Sequence, residues 1–530
     1  MIKSINKQQS AYAPRLVRGV SCILIILLCL SACGSKRDII DLSPKYEPEQ
    51  LIIPKDWRGQ SPFKLATPAD NSYNGEWWKI FHDSILNQLQ EKFHESNPTL
   101  QAAAERFIQS RYEMMKARSM YLPHIGITGF YDNNQRSADE LEHGEIHELA
   151  RGNTGSFMGP LSWEPDIFSR YRNLTNVRVF QAQSSAAHYG AIRLLLQTEL
   201  TANYFVLRTL DAKNTVYKKS IRYFKRSLDI VTIQFEGNLA SRLDVARAKY
   251  LLKNTEAKQL AVEADRQVTE QSIAALLNIS PSVFKIKPAG GFTVPKVIIP
   301  DVLPAKLLER RPDIADLERK MAQANKNIGI ARAAFFPQIN LNGSASVFLI
   351  SQISNPVWAL GSILDFYAFK AGYRRAQLQK SWSQYRETVN QYREGVLKAF
   401  KEVEHGLSKT NLMTKELGRQ KEAVSAAVET QDLTMDLFTG KLASSLDLLY
   451  AEIYALEARI REVEVKQDLM VATVYLVKAL GGGWNMGQIP QDEQIPAFKL
   501  FQYDKLGRIE PVVGIAKSDP KNQSNLMLDH

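Results

Sequence analysis

Residues 171–280 and 371–480 contain no proline, and these two tracts of 110 residues constrain the fold more than any other property of the chain. Proline removes an amide donor and clashes with the preceding helical turn, so its absence over such spans predicts very long helices. The first tract holds two glycines, Gly190 and Gly237, and the second holds five. All 22 prolines lie in the other 310 residues. Their spacing, and a glycine-plus-proline content below average usage, set aside collagen-like and low-complexity classes.

The apolar periodicity agrees with helix. Stepping by three and four from Leu446 gives Leu449, Ile453, Leu456, Ile460, Val463, Gln467, Met470, Val474 and Val477, so nine of ten positions are apolar. Charged residues such as Glu452, Glu457, Arg459, Arg461, Glu462 and Glu464 lie between them, as on a coiled-coil seam. From Leu243 the same stepping reads Ala246, Tyr250, Lys253, Ala257, Leu260 and Ala264, an alanine-rich series suited to close helix contacts. A soluble antiparallel bundle would give the same pattern over these tracts alone.

Each tract is interrupted once. Phe235 to Val245 aligns with Phe438 to Leu448 at an offset of 203, with seven of eleven positions identical. Gly237 and Gly440 followed by Ser241 and Ser444 read as a helix C-terminus and the next N-cap, the chemistry of a helical hairpin turn. Each incoming helix, 173–236 and 374–437, has about 64 residues and a length of about 96 Å at 1.5 Å per residue.

Before each helical tract a second repeat occurs at offset 214, with Asn97-Pro98, Ala117-Arg118 and Tyr121-Leu122-Pro123 answered by Arg311-Pro312, Ala331-Arg332 and Phe335-Phe336-Pro337. After the later proline the period becomes two. Ile339, Leu341, Gly343, Ala345, Val347 and Leu349 share one face, and Gln338, Asn340, Asn342, Ser344 and Ser346 the other. In the earlier copy Ile125, Ile127, Gly129 and Tyr131 continue the theme, and Phe157, Leu161 and Trp163 oppose Ser162 and Glu164. Such a dyad suits a membrane β-barrel strand, and a half-buried soluble strand reads identically. The shorter offset between the helical repeats places a longer, polar loop at roughly 131–155 in the first hairpin. Two hairpins give four strands per chain, whereas the smallest membrane barrels have about eight. Lipid admits no open edge, so strands in a membrane would require several chains, and three chains would supply twelve strands.

The N-terminus reads as an address. Lys3, Lys7, Arg15 and Arg18 precede the apolar run Cys22 to Leu30, which is too short to span a bilayer but suits a signal-peptide core. Leu30-Ser31-Ala32-Cys33-Gly34 resembles the bacterial lipobox, whose cysteine is acylated after cleavage; a plain secretory signal with an incidental cysteine is the alternative. Gly34, not Asp, follows the cysteine, which is compatible with sorting to the outer membrane. The only cysteines are Cys22, Cys29 and Cys33, so the mature chain would hold no disulfide and no cysteine metal site. Four of the net +11 charges belong to this address, leaving a weak basic bias that does not call for nucleic acid.

Eight motifs, in order, carry a family resemblance over roughly 70–485: Glu76 to Phe81, Leu161 to Phe168, Gly237 to Asp244, Leu307 to Ile314, Ala331 to Pro337, Phe400 to Glu404, Gly440 to Asp447, and Ala479 to Trp484. The chain resembles the TolC-like outer-membrane factors, in the lipoprotein branch that serves resistance-nodulation-division efflux systems. The resemblance implies a mainly α protein with membrane β structure. It would be a homotrimer whose 12-stranded β-barrel, four strands per chain, continues into a long periplasmic α-helical coiled-coil barrel. It also implies a periplasmic adaptor protein and an inner-membrane resistance-nodulation-division pump as partners, outer-membrane lipid around the barrel, and a passive exit duct. Type I protein secretion and a non-pore coiled-coil lipoprotein scaffold are the competing functions.

On this reading residues 1–32 are the signal peptide and 33–83 a lipid-anchored extended segment starting at Cys33. The repeats are 84–280 (β-hairpin about 124–168) and 304–485 (β-hairpin about 338–369), with a linker at 281–303 and a C-terminal tail at 486–530. Family members often carry an acidic residue in the second tip turn, where this chain has Leu442-Ala443-Ser444. The nearest charges are Lys441 and Asp447, with Arg242 and Asp244 in the other turn. Asp447 and Asp244 are expected either to hold a closed tip by pairing with basic neighbours such as Arg242, or merely to cap their hairpins. His143 and His147 flank Glu145 in the predicted loop, with a surface role favoured over a metal site. No catalytic residue, cofactor site or metal site is assigned.

Overall fold

The structure is a computed structural model that describes residues 40–46, 57, 76–135, 151–290, 294–295, 304–350 and 353–484. After a short 3-10 turn at Trp77–Phe81 come α1 (Ser84–Ser96), α2 (Pro98–Ser119), β1 (His124–Ile125), β2 (Thr128–Gln135) and β3 (Arg151–Trp163). They are followed by α3 (Arg170–Glu236), α4 (Arg242–Leu276), α5 (Pro304–Arg310), α6 (Pro312–Ala333), β4 (Gln338–Ile350), β5 (Ile353–Asp365), α7 (Tyr373–Thr439) and α8 (Ser445–Ala479). The proline-free tracts are occupied by α3 and α7, 67 residues each, and by α4 and α8, 35 residues each. At 1.5 Å per residue α3 and α7 are each about 100 Å long. No helix among the described residues is long and apolar enough to cross a membrane.

Helix starts follow from local chemistry. Pro98 and Pro312 occupy first helical positions, where a missing amide costs nothing. Asp83 caps α1 by accepting from the amides of Ile85 and Leu86, each at 3.0 Å. Asp166 does the same for α3, accepting from the amides of Tyr171 (3.0 Å) and Arg172 (2.8 Å).

The chain divides into two compact units. The first, described over 40–44, 120–135, 151–174, 326–350 and 353–379, contains every strand among the described residues. All pairings are antiparallel: β1 and β2 both lie along β3, β3 pairs with β4, and β4 pairs with β5. This makes four strand lines. The break between β1 and β2 falls where the Gly126 amide donates to the Pro160 carbonyl at 2.9 Å. Proline has no amide to return the bond, so the ladder is interrupted there.

The register sorts the side chains, because directly opposed residues in an antiparallel pair share a face. Leu161 opposes Ile125 and Gly343, Phe157 opposes Val347, Trp163 opposes Leu341, and Leu364, Leu360 and Trp358 oppose Ile339, Gly343 and Ala345. That face is almost wholly apolar. The other carries Ser162 opposite Asn342, Pro160 opposite Ser344 and Met158 opposite Ser346. Among the described residues nothing covers the apolar face: Ile125 is 78% exposed and Trp358 79%. β3 ends at Trp163, so Glu164 is not a strand residue; its carboxylate is taken by Arg170 (3.0 Å) and the Tyr171 hydroxyl (2.6 Å) at the entry to α3.

The second unit spans 45–119, 175–325 and 380–530, described in part. Its core gathers Trp77, Trp78, Phe81, Leu86, Phe93 and Tyr204 with apolar positions of α4, α7 and α8. Buried Asp211 binds Arg208 (3.3 Å) and Arg266 (2.6 Å), and accepts the Ala289 amide at 3.1 Å, tying the segment after α4 to the bundle. Arg311 is held by Asp313 and Glu402, each at 2.7 Å, and donates to the Ala479 carbonyl. α8 buries the expected seam at Leu456, Val463, Met470, Val474 and Val477. It also buries a second stripe of Leu448, Ala451, Ala455, Val465, Leu469 and Leu476, so this helix is wedged between neighbours rather than packed along one line.

The two faces of the sheet predict different responses to charge. Leu360→Arg, on the apolar face, should destabilise the protein folded in lipid vesicles by about 2–4 kcal/mol, and Asn342→Arg, on the polar face, should be nearly neutral. Urea unfolding in vesicles measures both, and equal losses would contradict the assignment of faces.

Candidate functional site

The two helical hairpin turns, expected from the eleven-residue repeat, have the same backbone in both copies. α3 closes with the Leu239 amide donating to the Gln234 carbonyl (2.7 Å) and the Asn238 amide to that of Phe235 (2.9 Å). α7 closes with Leu442 to Leu437 (2.7 Å) and Lys441 to Phe438 (3.1 Å). This is the Schellman pattern, which needs one left-handed residue. That residue is not the glycine. Asn238 has φ 59° and Lys441 φ 62°, whereas Gly237 and Gly440 keep negative φ. A Cβ on either glycine would meet the preceding turn's carbonyls at 3.4 Å or more, so neither the space nor the backbone demands glycine there. Leu239 and Leu442, at matching positions of the two turns, are 64% and 79% exposed.

Each outgoing helix begins with a complete capping box. The Ser241 hydroxyl accepts from the Asp244 amide (3.2 Å) and the Asp244 carboxylate accepts from the Ser241 amide (3.0 Å). Ser444 and Asp447 repeat this at 3.1 and 3.0 Å. The serine hydroxyls hold both carboxyls below the ordinary range, and for Asp244 the Ser445 hydroxyl adds to the effect. A depressed carboxyl stabilises the turn above the ordinary carboxylate pKa, and that contribution is lost as pH falls below it.

The expected partner of Asp244 is corrected by the geometry. Its salt-bridge partner is Arg247, at 3.8 Å and one turn along α4, not Arg242. Residues two apart on a helix face different directions, and residues three apart are neighbours. Arg242 and Lys441 are exposed. Two contacts unforeseen in the sequence tie the second hairpin to the first: Ser445 donates to Asp244 at 2.5 Å, and Ser227 of α3 donates to Glu452 of α8. Glu452 is buried, although its place between seam positions predicts a solvated charge. A cavity of about 20 Å³, lined by Ser227, Asp244, Arg247, Ser445 and Glu452 among others, lies where α3, α4 and α8 meet.

Cys33, the pair His143 and His147, and the tail 486–530 lie outside the described residues. The segment just after the lipobox is described at 40–46. There Lys326 binds Asp41 (3.1 Å) and the Ser43 hydroxyl (2.8 Å), Asn173 donates to Asp41, and Arg332 donates to the Leu42 carbonyl. Burial pushes the Asp41 carboxyl up, but hydrogen bonds from Ser43 and Lys326 outweigh it and bring it down to about 2. This clasp belongs to the unit that carries the strands.

The strand ends of that unit carry an aromatic collar. Phe168 stacks on Phe336 at 4.7 Å, and Phe366, Tyr367 and Phe369 follow β5, all three exposed. The Lys370 ammonium stands 3.8 Å over the Tyr367 ring, and the Arg374 guanidinium lies over Phe335 and Phe366. Aromatic rings beside basic groups at the edge of an apolar band are the usual border between hydrocarbon and water.

The sequence profile of the outer membrane efflux protein family matches residues 89–278 and 303–482. A probable efflux pump outer membrane protein of Pseudomonas putida, TtgC, is 25% identical over 462 residues, covering 86% of this chain and 95% of its own length. Nodulation protein T of Rhizobium leguminosarum is 27% identical over 469 residues, covering 87% and 92%. The solved outer membrane channel CmeC of Campylobacter jejuni shares the fold, with a TM-score of 0.75, 19% identity and coverage of 84% of this chain and 96% of that one.

Proposed function

The chain belongs to the outer membrane efflux protein family, and from that premise we propose that three copies form a passive exit duct across the outer membrane. The observation that carries this reading is the sheet: four antiparallel strand lines with one uncovered apolar face, one polar face and no described partner at either edge. Lipid covers the apolar face, neighbouring copies pair the edges, and the polar face lines water. Three copies supply twelve strands, and the long helices extend the duct into the periplasm. Named relatives being efflux pump outer membrane proteins supports a tripartite assembly, with a periplasmic adaptor and an inner-membrane resistance-nodulation-division pump providing the driving force. The exposed Leu239 and Leu442 at the paired turns are the surface offered to the adaptor.

Cys33 is the lipid-bearing residue on this reading. The clasp at Asp41 supports it. Eight residues can reach at most about 29 Å, so an acyl chain on Cys33 would lie within that distance of the strand-bearing unit. Cys33→Ala should abolish acyl labelling of the full chain; labelling that persists would refute the assignment.

The tip turns are the proposed gate, with Asp244 and Asp447 holding their hairpins shut. Trimers purified from membranes and placed in planar bilayers should conduct ions, and absence of conductance would remove the duct reading. The double variant Asp244→Asn/Asp447→Asn should conduct with a higher open probability, because it loosens both capping boxes and the tie to Ser445. An unchanged open probability would remove the gate role and leave the duct.

A further inference from the structure

Three acidic side chains are buried among the described residues: Asp211, Asp316 and Glu452. Asp211 meets two arginines, and Asp316 meets Lys320 at 2.7 Å. Glu452 meets a serine. The Ser227 hydroxyl on α3 donates to it, and buried Val231 and Leu448 belong to the surrounding apolar cluster. α4 brings two charged groups to the same small cavity, Asp244 and Arg247, and they are spent on each other and on Ser445. α3 contributes Ser227 and Val231, neither of which titrates near neutrality. Glu452 therefore has no salt-bridge partner among the described residues.

A carboxylate buried without a counter-charge is strongly unfavourable, and the group keeps its proton instead. Its position makes that proton consequential. Ser227 and Glu452 lie on different hairpins of the chain, a few turns from the tip, so their contact ties α8 to α3 only while both stay out of water.

We propose that Glu452 is a proton-controlled latch between the two helical hairpins: protonated, it holds α8 against α3 through Ser227, and ionised, it loosens that contact. Burial raises the Glu452 carboxyl from its ordinary 4.5 to about 7, with the Ser227 hydroxyl working in the opposite direction. The sign follows. Stability of the latched arrangement is fully present below the ordinary carboxylate range and is lost as pH rises toward 7, because an opened helix pair lets Glu452 reach water and release its proton. In that window the latched-to-loosened ratio falls by up to about tenfold per pH unit. The effect on an aperture rests on the duct reading above; the helix separation itself does not.

The native cysteines are confined to Cys22, Cys29 and Cys33, so reporter pairs can be placed cleanly. Ile233 on α3 and Tyr454 on α8 are both exposed. Spin labels on Ile233→Cys/Tyr454→Cys, in full chain diluted into unlabelled copies in lipid, report the separation by pulsed electron resonance. A longer-distance population should grow from pH 5 to pH 7 and level off above it. Glu452→Gln should stay short at every pH, and Ser227→Ala should extend the response to higher pH. A distance that does not change with pH, or an unchanged response in Glu452→Gln, overturns the latch while leaving conductance untouched. Should Glu452→Gln fail to assemble, the Ser227→Ala arm decides, and a response identical to that of the native chain overturns the proposal.

Discussion

Backbone amides and carbonyls in hydrocarbon have no water to bond, and the rest of this protein follows from that constraint. Four strand lines satisfy each other internally but, among the described residues, leave β5 and the β1–β2 line each paired on one side. A soluble protein could blunt such edges with charge or leave them wet. Here the apolar face leaves Phe157, Trp358, Leu360 and Leu364 exposed, and on the proposed reading lipid covers it while assembly of copies pairs both edges.

The helices answer a different problem, which is how a chain of this size builds the same helical hairpin twice. α3 and α7 match in length, as do α4 and α8, and both turns use the same bonds at an offset of 203 residues. The capping boxes at Ser241 and Ser444 fix where each outgoing helix starts, and with it the register of every buried position downstream. Lys441 carries a cost there: a lysine at φ 62° adopts a conformation that disfavours any side chain by about 1–2 kcal/mol, whereas Asn238 tolerates it better. The buried ion cluster at Asp211 and the Arg311 tie then hold the bundle's other end.

Much of this was legible in the sequence because long-period signals are redundant. A proline-free span, a coiled-coil seam and an eleven-residue repeat each locate the same helices. The alternation after Pro337 places Ile339, Leu341 and Val347 on one face before any register is known. What escaped was three-dimensional. One helical period describes one face, so Glu452 reads as solvated, yet α8 is wedged between neighbours and buries Glu452 between the seam and a second stripe. The glycine is the conspicuous signal of each turn, but the left-handed residue is the next one, Asn238 or Lys441. The clasp of Lys326 on Asp41 joins residues 285 apart, and no local pattern announces it.

The central claim is that the strand-bearing unit is completed only by other copies of the chain. Native mass spectrometry of the full chain, extracted in mild detergent, tests it most directly. Three chains per particle, persisting on dilution until the strands themselves unfold, is the predicted result. A monomer that keeps its strands, with slowly exchanging amides along β5, would contradict the account.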